Sequence, residues 1–306
     1  MALSEELRAE LAAIAPKRGC CRLAEISALF HSAGTIHLRG RGEIALHLDL
    51  ATSAVARRAF SLLRELGIHS EIRTYNRRAF DRATRYQLHI PGDEAALAML
   101  VEAGVLDARH APVERPPKRV VGRACCRGAY LRGALLGGGS LSGPRAPHLE
   151  LRTTSVDGAE FLRSVAAAGD ARLSVLDRGS HAVAYAKGVD AIETLLTAAG
   201  ASDTVLVFEE RSIVAAARGE ANRLANADHA NLVRTSRAAQ EHLDAIRRLE
   251  AAGTLERLPD QLHEVARLRL RFPQLSLREL ALKCEPPTTK ASVQRRLRKV
   301  LEIAER

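Results

Sequence analysis

SLRELALKCEPPTTKASVQRRLRKVLEIAER, residues Ser276–Arg306, decides how the C-terminal part of this chain folds. Ser276 followed three residues later by Glu279 has the form of a capping box, in which the serine oxygen and the glutamate each satisfy an otherwise orphaned backbone donor. A short helix is predicted to start there, with Leu277, Leu280 and Ala281 at helical spacing forming its buried face. Pro286 and Pro287 cannot continue a helix and force a turn, after which Thr288 or Thr289 can cap a second helix. In that helix Val293, Leu297, Val300 and Leu301 recur at three- and four-residue steps as a buried stripe. Lys290, Arg295, Arg296, Arg298 and Lys299 fill the remaining surface, with no acid until Glu302. A supporting helix, a tight turn and a basic second helix form the geometry that places side chains in a DNA major groove.

Extended upstream, the run LPDQLHEVARLRLRFPQLSLRELALKCEPPTTKASVQRRLRKVLEIAE from Leu258 resembles, without a gap, the C-terminal domain of the WhiA family of bacterial transcription regulators. Its distinctive parts are the LRLRFPQLSL junction, the Pro-Pro turn and the RRLRKV helix. ANRLANADHANLVRTSRAAQ (Ala221 to Gln240) is similar to the same family, with Arg234 in place of an expected lysine and the charge kept. The resemblance implies a sequence-specific DNA-binding regulator of sporulation or cell division genes, acting with a WhiB-type regulator or a sigma factor. The residues expected at DNA are Ser276, Thr288, Thr289, Lys290, Ser292, Gln294, Arg295, Arg296 and Arg298. Of these, Thr288, Thr289 and Lys290 open the second helix, where backbone N–H groups suit phosphate. Gln294, Arg295 and Arg296 carry the side chains that pair bidentately with adenine or guanine. Helix rotation, which sequence does not supply, decides which of the three faces the groove.

Charge agrees with a polyanionic partner. The 306 residues carry a net charge of +10, and Glu256 to Arg306 hold twelve Lys/Arg against seven Asp/Glu, so half the excess lies in a sixth of the chain. Such a length holds two or three domains with a sizeable core. Aromatic content of 3% with no Trp argues against recognition by base stacking, so duplex DNA is favoured over single strands. No apolar run approaches the length of a membrane span. The start, MALSEELRAELAAIAPK, has neither the basic head nor the apolar centre of a signal peptide, and a cytoplasmic, nucleoid-associated protein is expected. Five cysteines, the neighbours Cys20-Cys21 and Cys125-Cys126 and the lone Cys284, form neither a disulfide framework nor a CxxC spacing. They read as small buried helix residues, zinc is not supported by the spacing, and no cofactor is expected.

The N-terminal two thirds contain an internal repeat. CCRLAEISALFHSAGTI (Cys20 to Ile36) matches CCRGAYLRGALLGGGSL (Cys125 to Leu141) without a gap at a spacing of 105, and HLDLATS (His47 to Ser53) answers HLELRTT (His148 to Thr154). Each copy reads helix, two strands, helix, two strands, helix. In copy one Leu46, Leu48 and Leu50 alternate with His47 and Asp49 as a half-buried strand, a helix over 53–66 ends at Gly67, and EIRTY with TRYQLHI forms a hairpin. In copy two the strands fall near 141, 148–153, 171–177 and 181–187. PVERPPKR (Pro112 to Arg119) is a proline-stiffened connection, and residues 4–15 form a leading amphipathic helix with Ser4 as its cap.

This layout, opened in each half by a helix of small residues, resembles the LAGLIDADG homing-endonuclease fold, of which the WhiA family carries a degenerate version. Leu131 to Gly139 occupies the motif, and Ile26 to Gly34 takes its place in copy one. Gly133, Gly137 and Gly138 are expected to pack against Ser27, Ala28 and Ala33. Cleavage by that fold needs a carboxylate at the end of each opening helix to hold divalent metal. The matching positions are Ala33 and Gly138, and no Asp or Glu occurs from Ile26 to Gly42 or from Arg115 to Leu149. The chain is therefore expected not to be an enzyme. An active homing endonuclease and a ligand-sensing repressor are the alternatives.

The expected fold class is α+β: a duplicated αββαββα domain over 1–208, with repeats about 20–111 and 120–208, a helical linker over 209–255, and an all-α helix-turn-helix domain over 256–306. Asn222, Asn226, Asp228 and Asn231 are expected to cap or break the linker helix near 226–228, and could equally mark a contact with DNA or a partner. Arg39, Arg41, Arg73, Arg77, Arg78, Arg82 and Arg85 gather on the strands and hairpin of copy one, where phosphate contact and plain solvation are equally compatible with sequence.

Overall fold

The computed structural model describes residues 3–38, 44–76, 84–143 and 146–305. The chain divides into two compact units, Met1–Ala216 and Ala217–Arg306.

In the first unit a leading helix α1 (Leu3–Ala13) precedes two copies of one arrangement. Copy one runs α2 (Gly19–Ala33), β1 (Gly34–Leu38), β2 (Ile44–Leu50), α3 (Ser53–Glu65), β3 (Glu71–Asn76), β4 (Thr84–Pro91) and α4 (Glu94–Glu102). Copy two runs α5 (Ala124–Gly138), β5 (Gly139–Ser142), β6 (His148–Thr153), α6 (Val156–Ala167), β7 (Ser174–Asp177), β8 (Ala182–Lys187) and α7 (Val189–Ala199). Both sheets are antiparallel and share one topology, β1-β2-β4-β3 and β5-β6-β8-β7, as a duplication requires. The fold is α+β, as the repeat implied.

Local chemistry explains the boundaries. Thr52, Asp93 and Ser155 cap α3, α4 and α6 by accepting from the backbone N–H of Val55, Ala96 and Gly158. Gly67 and Gly200, at φ +77° and +94°, end α3 and α7 in the left-handed conformation. Leu46, Leu48 and Leu50 of β2 point into the core, while His47 and Asp49 lie on the opposite face of the sheet. Strand β7 is shorter than expected: pairing with β8 begins at Ser174, and Ala171 and Leu173 are buried just before it.

Helices α2 and α5 form the centre of the unit. They lie side by side in parallel, since their first residues meet at one end and Ala33 approaches Gly137 at the other. Close approach depends on missing side chains. A Cβ on Gly133 would collide with the carbonyl oxygen of Glu25 and sit 2.9 Å from the Ala28 methyl. One on Gly137 would lie 3.0 Å from Ser32 and 3.5 Å from Ala33, and one on Gly138 would lie 2.7 Å from the Arg152 carbonyl. Ser32 joins the expected Ala28 and Ala33 in this contact, and Ser27 is fully buried. Tyr130, 2% exposed, packs edge-on against Phe161 at 5.4 Å.

Three expectations need correction. Ser4 is not a cap: it lies within α1, and its hydroxyl donates to the Leu141 carbonyl at 2.9 Å and accepts from the Leu141 N–H at 2.8 Å, tying α1 to β5. The helix predicted to break near 226–228 does not break, and α8 runs from Ser202 to Ala251. Asn222, Asn226, Asp228 and Asn231 are exposed on it, so their polar groups stay satisfied by water or, for Asn231 Oδ1, by Arg234, and the alanines between them repay their modest helix penalty. The cysteines are not merely separate packing residues: the Sγ atoms of Cys20, Cys21, Cys125 and Cys126 all lie within 4.8 Å of one another. Spacing concealed this, because each helix supplies one neighbouring pair.

Candidate nucleic-acid interface

The second unit is helical: the later part of α8, then α9 (Asp260–Arg271), α10 (Leu277–Leu282) and α11 (Lys290–Ala304). Its core joins Ile246 and Leu249 of α8 to Leu262 and Val265 of α9, Leu280 and Ala281 of α10, and Val293, Leu297 and Val300 of α11. Buried Arg269 donates to the carbonyls of Leu275 at 2.7 Å and Pro273 at 3.3 Å, which holds the loop between α9 and α10 in place. Nearby His242 is nearly buried, and desolvation, helped by the charge of Arg269, pushes its pKa down to about 4, so the ring is neutral at pH 7.

Each predicted feature of the helix-turn-helix has a definite place. Ser276 and Glu279 form the capping box, with Glu279 N–H to Ser276 Oγ at 3.3 Å and Ser276 N–H to Glu279 Oε2 at 2.8 Å. The hydrogen bonds from Ser276 hold the Glu279 carboxyl below its ordinary range. The serine hydroxyl is thus engaged in starting α10. The turn is tied at two points: Thr288 N–H donates to the Ala281 carbonyl at 2.9 Å, and Glu285 N–H donates to Glu264 of α9 at 2.6 Å. Between the two candidate caps, Thr289 is the one used, accepting from Ser292 N–H at 3.2 Å.

With Val293, Leu297 and Val300 buried, rotation of α11 is set. Arg295, about 200° around the helix from Val293, faces away from the core, with Gln294 and Arg298 on flanking positions. The side chains of Lys290, Gln294 and Arg295 are exposed and make no hydrogen bond or ion pair among the described residues. Arg298 pairs with Glu302 at 3.5 Å on the surface. Arg296 is set apart: its side chain is 17% exposed and reaches Glu264 at 3.4 Å, so it braces the same carboxylate that holds the turn. Thr288 and Ser292 are half-buried at the start of the helix. The N-terminus of α11, capped by Thr289 and followed by exposed Lys290, favours a phosphate oxygen.

The first unit carries a groove of about 440 Å³ where α2 and α5 end, lined among others by Ala33, Gly138, Asp49, Arg85 and Arg152. Ala33 and Gly138, the positions expected from sequence to match the acids of a LAGLIDADG nuclease, lie in this lining and carry no carboxylate. Asp49 of β2 is the carboxylate in this lining, and it accepts from Gln87 Nε2 at 3.1 Å and Tyr75 Oη at 3.2 Å. Arg73 is paired with Glu71 at 2.9 Å, while Arg39, Arg41, Arg77, Arg78 and Arg82 lie outside the described residues. Strand histidines form local contacts, His47 Nε2 to His89 Nδ1 at 2.8 Å and His148 to Glu150 at 2.8 Å.

Two LAGLIDADG-like repeats followed by a helix-turn-helix define the class of protein to which this architecture belongs. Family profiles divide this chain the same way: the WhiA N-terminal LAGLIDADG-like domain matches residues 19–106, the WhiA LAGLIDADG-like domain 127–218, and the WhiA C-terminal HTH domain 221–304. A probable cell division protein WhiA from Symbiobacterium thermophilum is 34% identical over 309 residues, covering 100% of this chain and 98% of its own. Its counterpart in Acidothermus cellulolyticus is 38% identical over 311 residues, covering 100% and 94%. The chain belongs to the WhiA family. Its fold matches the crystal structure of full-length DUF199/WhiA from Thermatoga maritima with a TM-score of 0.58 at 24% identity, over 100% of this chain and 98% of the other. No described helix is long and apolar enough to cross a membrane.

Proposed function

We propose that this chain is a sequence-specific duplex DNA-binding transcription regulator, cytoplasmic and associated with the nucleoid, whose nuclease-like unit does not cut DNA. The observation that carries the reading is the outer face of α11, where Gln294 and Arg295 stand exposed and unpaired above a buried Val293-Leu297-Val300 stripe. Guanidinium and carboxamide groups on that face match the major-groove edges of guanine and adenine, and Thr289 and Lys290 at the helix start suit phosphate. Domain roles follow the partition drawn from sequence: 1–208 as nuclease-like scaffold, 209–255 as helical linker, 256–306 as reading head. The names of the relatives support cell division genes as targets, and sporulation genes, with a WhiB-type regulator or sigma factor as partner, belong to the same proposal.

Selection from a random-sequence duplex pool tests it. The full chain is expected to enrich one motif and to bind it on the order of 10³-fold or more above a scrambled duplex at physiological salt. A pool that stays random after repeated rounds overturns sequence-specific recognition.

A further inference from the structure

We propose that Cys20, Cys21, Cys125 and Cys126 form a four-thiolate site for one zinc ion that clamps the two repeats together at the N-terminal end of the α2–α5 pair. The carrying observation is mutual proximity. All four Sγ atoms lie within 4.8 Å of one another, and Cys125 and Cys126 are 4.0 Å apart. Zn–S bonds of about 2.3 Å in a tetrahedron place sulfurs about 3.8 Å apart, so a contraction of up to about 1 Å completes the site. A pair of disulfides asks only that sulfurs be close two by two. Here each sulfur is near all three others, which is the tetrahedral pattern. In a four-iron cluster each thiolate binds a different iron, which spreads the sulfurs wider than this.

Surrounding charge fits a dianionic zinc tetrathiolate. The cysteines occupy the first turns of α2 and α5, so two helix N-termini point at the site. Two arginines reach across the repeat axis in a reciprocal manner, Arg18 Nη1 to Cys125 Sγ at 3.7 Å and Arg123 Nη1 to Cys20 Sγ at 3.9 Å. Cys125 is exposed and gives the ion an entry, while Cys21 and Cys126 are buried. The groove at Ala33 and Gly138 lies a full helix away, about 22 Å for fifteen residues. With all four positions filled by protein sulfur the site is structural, and it links segments 105 residues apart in sequence.

Full-length protein, purified under reducing conditions without a metal-affinity tag, is expected to carry about one zinc per chain by elemental analysis. Added zinc should raise the Tm of chelator-stripped protein and slow alkylation of Cys125 at least about tenfold, because a metal-bound thiolate is a weak nucleophile. Cobalt loading should give the absorption bands of a tetrahedral thiolate site. Cys284→Ser should leave the metal content unchanged, and the Cys20→Ser/Cys125→Ser double variant should lose it. If the double variant fails to fold, the wild-type zinc content and Cys125 protection still decide. Stripped protein in which zinc neither shifts Tm nor protects Cys125 overturns the proposal, as does peptide mapping that finds these cysteines joined as disulfides under the same reducing conditions.

Discussion

Glu25 shows how much one residue carries in this protein. It sits on α2, fully buried, with Arg58 of α3 at 2.9 Å on one oxygen and Arg132 of α5 at 2.8 Å on the other. Arg132 also donates to the Ala199 carbonyl at 3.2 Å. The acid is therefore shared by three helices from both repeats. Glu25→Gln keeps the shape and removes the charge, leaving two buried guanidinium groups without a counter-ion. A loss of about 3–5 kcal/mol in unfolding free energy is expected, read from denaturant melts of the variant beside wild type. A change below about 1 kcal/mol would mean that solvent reaches these arginines. In the sequence Glu25 is the one acid of a helix rich in small and apolar residues. Its signal is the mismatch with that helix, but its partners, 33 and 107 residues away, emerge only from packing.

At the scale of an element, α11 separates residues that composition treats alike. Arg295 and Arg296 are neighbours of the same type, yet one faces outward and the other braces Glu264. Arg295→Ala should leave Tm unchanged, cost about 1–3 kcal/mol on the selected duplex and relax preference at one base pair, whereas Lys290→Ala should weaken all duplexes alike and lower the salt slope by about one. Arg296→Ala should lower Tm by freeing the carboxylate that holds the turn, without changing base preference. Binding to selected and scrambled duplexes at several salt concentrations, with a melt for each variant, checks all three. Base preference that relaxes in Arg296→Ala and not in Arg295→Ala would put the Arg296 side of α11, about 100° around the helix from Arg295, in the groove. The capping box at Ser276, by contrast, is legible without coordinates, because it is a contact between residues three apart.

For the molecule as a whole, the first unit is LAGLIDADG-like in both repeats, while Ala33 and Gly138, at the ends of its opening helices, carry no carboxylate. Supercoiled plasmid incubated with the full chain and Mg²⁺ or Mn²⁺ should remain supercoiled. Metal-dependent nicking that persists through further purification, and that Asp49→Asn abolishes, would show that the carboxylate in the groove supports cleavage after all. The sequence by itself determined the order of elements, the duplication and the helix-turn-helix, since periodicity, caps, turn prolines and an ungapped repeat are all local or self-referential signals. Only tertiary structure decided the rest: the rotation of α11, the pairing of half-buried Arg296 with Glu264, the Glu25 triad and the meeting of four cysteines from two helices. Those facts depend on segments far apart in the chain being brought side by side, and no local pattern of residues records which distant side chain will arrive. The unbroken α8 is the converse case, where a locally unfavourable run of Asn and Asp was outweighed by alanines around it and by solvent that satisfies the exposed amides.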